Sequence, residues 1–444
     1  STLLLVPIVA LLLARRAASS EAWPLGRGGA RALETRRARA LAAAALFGAA
    51  LLVSGLVVWA SYGFRYSAAA DPAEAARMES QVFGPQGDAG GSAPGPPREA
   101  GHFPLERIVR RTAALGALLN RYPDGPPDDV VDREMAAAPI GAAGASILFA
   151  ARHRLLPEAY LFGLSYARMK SLQRASFLNG DLSSRGFRSY LPWAFLLKTP
   201  LLTLALLAGA ALLALARRSS RRGDLAFLVV PVAVYFLASL ASNLNIGHRH
   251  LLPIYPFLFV LCGLLGREWA ALARVPAAAT AALVLSGIAL GGFVVFAPPW
   301  SPEVVYPHYL AYFNELAGGP RDGYRHLVDS NLDWGQDLKG LHEWAVRHGI
   351  DANNPLYLCY FGMADPRFYG IPHVNLPGGY PLAPQARVEA LPPGAFLAVS
   401  ATNLQGVYFS PPVRDTWRSI LAHSTLVDTI GYSIFVYRIG PPAS

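Results

Sequence analysis

Apolar residues gather in six runs along the chain, with polar stretches between them: Thr2–Ala14, Leu41–Ala60, Leu191–Ala216, Leu225–Ala241, Leu251–Leu265 and Val275–Ala297. About 20 apolar residues in helical form cross a bilayer. Counted with their flanks, these runs read as spanning helices, the first cut short by the start at Ser1. Three connections are rich in arginine. Arg15–Ala40 holds Arg15, Arg16, Arg27, Arg31, Arg36, Arg37 and Arg39; Arg217–Arg222 reads RRSSRR; Arg267 and Arg274 lie between the fifth and sixth runs. If all six runs span, these three connections share one side, and arginine-rich short connections mark the cytoplasm. Residues 61–190, the turn Asn243–Pro256 and everything after Pro298 then lie on the other side.

The polar stretches carry their own patterns. Ser80–Gly101 is rich in Gly and Pro and reads as a linker. Phe103–Tyr122 places Leu105, Ile108, Val109, Leu115, Leu118 and Leu119 at helical spacing. Leu155–Leu178 is amphipathic too, with Tyr160, Phe162 and Tyr166 among basic residues; such a helix suits the headgroup zone or packs on its own protein. Tyr190 and Trp193 open the third run, as interfacial aromatics do. Lys198 follows eight residues on, roughly 12 Å along a helix axis. It either snorkels outward or meets an anionic partner, and Thr199-Pro200 loosens the backbone beside it.

After Trp300 the pattern turns globular. SPEVVYPHYLAYFNELAGGP predicts a short aromatic helix, and Gln336–His348 a longer one. Leu356–Phe361, Phe396–Ser400 and Ser433–Arg438 are strand-like, so a small α/β domain is expected. The expected organisation is two spanning segments in 1–60, an external loop in 61–190, four spanning segments in 191–297 and an external α/β domain in 298–444.

Composition agrees with a membrane protein: 53% of residues are hydrophobic and only 15% charged, against about a quarter in soluble domains. The net charge of +10 lies mostly in the arginine connections, which removes the case for nucleic acid. Cys262 and Cys359 fall in a spanning run and a polar region, so neither a mutual disulfide nor a zinc spacing is expected. Ser1 enters an apolar run with no initiator Met and no charged leader, which reads as truncation of a longer membrane protein rather than a signal peptide.

The candidate chemistry centres on NLNIGHRHLLPIYP, where His248, Arg249 and His250 stand in a row at a membrane surface. A guanidinium there needs a partner, a cavity or an anionic headgroup. A lipid-borne phosphate suits Arg249 or Lys198, arginine with a bidentate fork. Asn331, Asp333, Trp334, Gln336 and Asp337 offer the ring face and the amide and carboxylate groups that hold a sugar. Helix capping by Asp333 and core packing by Trp334 explain the same residues without a ligand. No nucleotide loop, zinc-protease or serine-hydrolase motif accompanies them.

HRHLLPIYPFLFVL, LPEAYLFGLSYARMKS, FLNGDLSSRGFRSYLPWAFLLKTPL and DSNLDWGQDL together resemble the bacterial branch of glycosyltransferase family 39. These multi-spanning GT-C enzymes are related to protein O-mannosyltransferases and to the aminoarabinose transferases of lipid A. The similarity covers roughly Leu155–Asp337, with the blocks in family order. It implies a mainly α polytopic helical bundle of GT-C type, here N-terminally truncated, with a small C-terminal α/β extracytoplasmic domain, in a bacterial inner membrane. It implies an inverting transfer from a polyprenyl-phosphate sugar to a glycan, lipid or protein acceptor on the non-cytoplasmic face. Lys198 and Arg249, with His248 and His250, would hold the carrier phosphate, and Glu158, Tyr160 and Asn245 would line the substrate cavity.

His248, His250 and Glu158 are also of the types that bind a divalent cation, but nothing in their spacing calls for a metal or another cofactor. The chain departs from the family in one place. The family's catalytic Asp-Glu pair lies in the first external loop, whereas here the first run is followed by arginines; Asp71 and Glu74 follow the wrong helix. The chain therefore reads as the C-terminal portion of an enzyme, its catalytic base outside this sequence, or as an inactive relative. The other functional class is a non-catalytic membrane protein whose external domain binds glycans or a partner.

Overall fold

The longest apolar run does not make one helix. In the computed structural model, residues 191–216 divide at Thr199-Pro200 into α7 (Tyr190–Lys198) and α8 (Leu201–Ala216), with a bend of 111° between them. Thr199 is extended (φ −95°, ψ 132°), as the residue before a proline prefers, and Pro200 brings no N–H to continue the ladder. The single straight span expected from hydropathy is thereby corrected to a bent pair.

The structure describes residues 2–25, 31–68, 73–74, 77, 104–122, 125–216, 222–240, 242–272, 305–388 and 391–441. The linker Ser80–Gly101, the sixth run Val275–Ala297, residues 217–221 of the second arginine connection, and Arg27, Asp71 and Arg274 lie outside them. Among the described residues, two helices are long and apolar enough to cross a membrane, Arg36–Ser61 and His248–Gly266, or three if the bent pair counts as one span. The fold is mainly α with a small sheet region.

The chain falls into two compact units. The first is Ser1–Arg174 with Ala233–Tyr235 and Ser242–Leu244. In it α1 (Thr2–Ala18) and α2 (Arg36–Ser61) pair side by side, joined through the ladder of β1 (Trp23–Leu25) and β2 (Arg31–Leu33). Thr35 caps α2, accepting from Ala38 N at 3.1 Å. Buried Arg39 donates to the carbonyls of Glu34 and Ala17, which closes the hairpin.

Four more helices follow: α3 (Leu105–Leu118), α4 (Asp128–Glu134), α5 (Ala142–Arg152) and α6 (Glu158–Leu172). α3 turns Leu105, Ile108 and Val109 onto Ile147, Leu161, Phe162 and Met169, the contact that its helical spacing predicts. Arg111 bridges Asp128 and Asp132 and so ties α4 to α3.

The second unit holds Ala175–Val232, Phe236–Ala241 and Asn245–Ser444. It begins with the short ladder of β3 (Ser176–Leu178) and β4 (Asp181–Ser183), then α7, α8 and most of α9 (Arg222–Leu240). Residues 248–254 form a 3-10 turn that runs straight into α10 (Tyr255–Leu272). Thus the His-Arg-His triplet sits on the first turn of an apolar helix rather than in an open hairpin. α10 packs against α8, where Gly209 lets Leu265 approach.

The C-terminal part is a five-stranded sheet ordered β6-β5-β7-β9-β8: β5 (Leu356–Cys359), β6 (His373–Asn375), β7 (Phe396–Ser400), β8 (Ser424–Ile430) and β9 (Ile434–Ile439). β5 runs parallel to β6 and β7, whereas β9 is antiparallel to β7 and β8. Alternation along the strands feeds two cores. Leu356, Leu358, Ala398 and Val436 meet Leu338, Leu341 and Trp344 of α11 (Leu338–Arg347). Cys359, Leu397 and Val399 meet Trp417 of α12 (Pro411–Ala422). The aromatic helix expected near residue 310 is instead two 3-10 turns, Tyr309–Ala311 and Glu315–Ala317, the second begun by the Asn314 cap and ended by Gly318 in the left-handed region (φ +74°).

Candidate functional site

The bend at Thr199-Pro200 frees carbonyls that a straight helix would use, and distant residues satisfy them. Asn314 donates its side-chain amide to Leu196 O at 2.6 Å and Thr199 O at 2.8 Å, and its backbone N–H to Leu197 O at 2.9 Å. Lys198, the last residue of α7, turns inward. Its ammonium donates to Leu310 O at 2.8 Å and Asn331 O at 2.7 Å, and lies 4.3 Å from the Phe313 ring centre. Of the two expectations for Lys198, outward snorkelling is corrected: the ammonium turns in. Backbone carbonyls and a ring face receive this cation, as hydrogen-bond acceptors are required to do for a buried ammonium.

His248 is committed as well. Its Nδ1 lies 3.0 Å from Ala194 O, a pure acceptor, so Nδ1 carries the proton and Nε2 accepts from Tyr255 O–H at 2.9 Å. The Thr199 hydroxyl then donates to the Tyr255 oxygen. One chain of hydrogen bonds thus links α7, the bend and the start of α10. Asn331 completes it: its Oδ1 accepts from His248 N at 2.8 Å and its Nδ2 donates to the Tyr190 hydroxyl at 2.7 Å. Asn245 is buried and accepts from Phe187 N. His250 is half-buried on the same turn as Arg249.

Arg249 differs from these. It is exposed, and its guanidinium lies 5.0 Å from the ring centre of Trp334, which is itself 54% exposed. Core packing by Trp334 is thus overturned. The turn that carries it explains why: Gly335 (φ +73°) reverses the chain, and a Cβ there would strike the Tyr360 hydroxyl. The indole is left outside while Asp333 points in. Arg249 brings five N–H donors to a half-open aromatic face, an arrangement suited to an anion with an apolar or sugar-like neighbour.

Behind that surface lie two buried carboxyls. Asp333 is fully buried; it accepts from Gly335 N at 3.0 Å and faces the Thr402 hydroxyl at 3.4 Å. It does not cap α11, whose N-cap position is Asp337. Burial pushes the Asp333 carboxyl up to about 8. Burial also raises Asp337, against the opposing pull of the Ser433 hydroxyl at 2.6 Å and His308 at 3.2 Å. Gln336 is spent locally, accepting from Trp334 N and donating to Leu332 O and Asp337.

Of the residues expected from sequence, Lys198, Asn245, His248, Asn331, Asp333 and Asp337 are thus gathered into internal hydrogen bonding, with Arg249 and Trp334 at the surface. Glu158 and Tyr160 belong to the first unit. There the buried Glu158 carboxylate accepts from Ala68 N at 3.0 Å, and Tyr160 is half-buried. Sequence reasoning missed Asn314 and Tyr255, and read Tyr190 as an interfacial aromatic where the structure buries it against Asn331. An asparagine that follows aromatics and precedes a glycine pair is a local turn signal only; its role at the bend comes from the fold. Among the described residues, no three His, Cys, Asp or Glu side chains are grouped to hold a metal ion. Searches against protein-family models, curated proteins and solved structures found no match to the chain.

Proposed function

We propose that this protein is a multi-pass membrane glycosyltransferase of the GT-C kind. In this reading it moves a sugar from a polyprenyl-phosphate carrier to an acceptor on the non-cytoplasmic face of a bacterial inner membrane. The observation that supports it is the pairing of Arg249 with Trp334 at the start of a helix apolar and long enough to span. A carrier lipid enters from the bilayer, so its phosphate reaches the first turn of such a helix. A guanidinium there binds the phosphate, and the indole face beside it is of the kind that stacks on a sugar ring. The inward Lys198 and the hydrogen-bonded His248, Asn331 and Asn245 serve in this reading to hold that turn in place.

Transfer of hexose from a polyprenyl-phosphate hexose, measured with the full-length protein in membranes, tests the proposal. Arg249→Ala is expected to lower turnover on the order of 100-fold, the scale for loss of one charge-stabilising donor. Arg249→Lys restores part of it as a point charge. Unchanged turnover in Arg249→Ala overturns the assignment.

A second reading is favoured by Lys198, whose ammonium is taken up by Leu310 O and Asn331 O and so is not presented to a carrier phosphate. In it the protein is a non-catalytic membrane protein whose external α/β domain binds glycans or a partner. Glycan binding lost in Trp334→Ala, with no transfer by the wild type, selects this reading.

A further inference from the structure

Sugar transfer to a hydroxyl releases a proton, and neither Arg249 nor Trp334 can accept it. A group that can stands further along the same series of contacts. Trp334 N donates to Gln336 Oε1 at 2.8 Å, and Gln336 Nε2 donates to Asp337 Oδ2 at 2.9 Å. The other carboxyl oxygen of Asp337, Oδ1, lies 3.2 Å from His308 Nδ1. Neither functional reading uses this imidazole.

Three elements fix the pair. Asp337 is buried at the N-cap position of α11, and the buried Ser433 hydroxyl donates to its Oδ2 at 2.6 Å. His308 stands at the start of the 3-10 turn Tyr309–Ala311. The turn between β8 and β9 closes beside both: Gly431 and Tyr432 are left-handed (φ +58° and +62°), and the Tyr432 ring meets His308 edge-on with 6.0 Å between centres. Asp337 receives donors from Ser433 and Gln336 and is the acceptor toward His308 as well, so Nδ1 carries the ring proton and Nε2 keeps its lone pair. Nε2 has no partner among the described residues and reaches solvent, the side chain being 32% exposed. A buried carboxylate on one ring nitrogen, with the other left open, gives an imidazole the fixed tautomer and direction of a general base.

The contacts run in the order Arg249, Trp334, Gln336, Asp337, His308, with the guanidinium and the imidazole at opposite ends. In-line displacement at a sugar carbon asks for that order, with the leaving group at one end, the sugar between and the nucleophile at the other. We infer that His308 is the base that takes the proton of the acceptor hydroxyl, with Asp337 as its positioning residue; this rests on the sugar transfer proposed above. The acceptor oxygen bonds to the anomeric carbon as its proton passes to His308 Nε2. The bond from that carbon to the carrier phosphate breaks, and its electron pair leaves on the phosphate oxygen held by Arg249. The imidazolium then gives its proton to water.

Azide ion tests the assignment, because an anionic nucleophile needs no base. The measurement uses the full-length protein in membranes with a labelled polyprenyl-phosphate hexose. His308→Ala is expected to lower transfer to hydroxyl acceptors about 100-fold, the lower end of the scale for general base catalysis. Added azide restores turnover in this variant, with a glycosyl azide as product. Asp337→Asn behaves alike, since an amide can hold the imidazole in the wrong tautomer. Azide leaves Arg249→Ala slow, because there the leaving group is affected and not the nucleophile. His308→Gln, which offers Asp337 an N–H but no base, decides if His308→Ala fails to fold. A wild type that transfers sugar, with turnover unchanged in the His308 variant, overturns this inference alone. So does a loss that azide does not restore, which marks His308 as structural. A wild type with no transfer at all overturns the glycosyltransferase reading, and this inference with it.

Discussion

Asn314 donates its side-chain amide to the carbonyl of Thr199 at 2.8 Å, and so closes the backbone at the point where α7 turns into α8. The same amide reaches Leu196 O, and Asn314 is only 1% exposed. Removing it strands two carbonyls away from water, each at about 1–3 kcal/mol. Asn314→Ala is therefore expected to destabilise the protein by on the order of 3 kcal/mol, read as a lowered midpoint of thermal unfolding in detergent. Asn314→Asp, which supplies no N–H, should be no better. A midpoint unchanged in both variants shows that the bend does not depend on this residue.

The bend also shows what a sequence reading can reach. Hydropathy counts apolar residues and is blind to one missing N–H, so the run 191–216 looked continuous although Pro200 sat inside it. α3 and α11 were legible because their apolar residues recur at helical spacing. β5, β7 and β9 were legible because buried and half-buried positions follow one another in short apolar runs. β6 and β8 were not. β6 has three residues, and β8, an edge strand, exposes Thr425, Leu426, Val427 and Asp428 in succession, which leaves no alternation to read.

At the candidate site the residue types were legible and their directions were not. Trp334 was given a core alternative yet lies outside, while Asp333 lies wholly inside. The single glycine turn at Gly335 decides both. The residues that brace the site act across long separations, Tyr255 on Thr199 and Asn314 on Leu196, where no local pattern carries a signal.

Lys198 and Arg249 are expected to separate when each is replaced. Lys198→Met keeps the length of the stem and removes the ammonium, so Leu310 O and Asn331 O lose a charged donor. Hydrogen bonds to charged groups contribute about 1.5–3 kcal/mol, and unfolding in the absence of any ligand should come correspondingly earlier. Arg249→Ala removes an exposed guanidinium whose stacking on Trp334 is worth about 0.5–1 kcal/mol. Its ligand-free stability should barely move. Equal losses in the two variants would contradict a bracing role for Lys198.

Gly431 tests the buried Asp337 from the other side. It adopts φ +58°, and a Cβ there would stand 2.2 Å from the Asp337 carboxyl carbon. Gly431→Ala combines left-handed strain with a clash against a group held by Ser433, His308 and Gln336. A loss of about 2–4 kcal/mol is expected. Gly349→Ala is the control: φ is +64° but nothing lies within 4 Å of the added carbon. It should lose only the backbone share, about 1–2 kcal/mol. Chemical denaturation of the two variants side by side separates strain from contact.

Asp333 makes the stability depend on pH in a direction opposite to that of an ion-paired carboxylate. Its carboxyl is raised by burial from 3.8 to about 8 in the folded protein. Between those values the native state holds a proton that the unfolded chain has released. The unfolded state then binds fewer protons, so stability falls as pH rises. The stabilisation is complete below about pH 4, declines from there to about pH 8, and changes no further above it. Asp337 is raised as well and acts in the same direction. Asp333→Asn keeps an acceptor for Gly335 N and a polar group for Thr402 but has nothing to ionise. Thermal midpoints measured across this window should fall with pH in the wild type and much less steeply in Asp333→Asn, so the variant becomes the more stable of the two toward pH 8. Parallel profiles for the two proteins would mean that Asp333 is ionised in the folded state despite its burial.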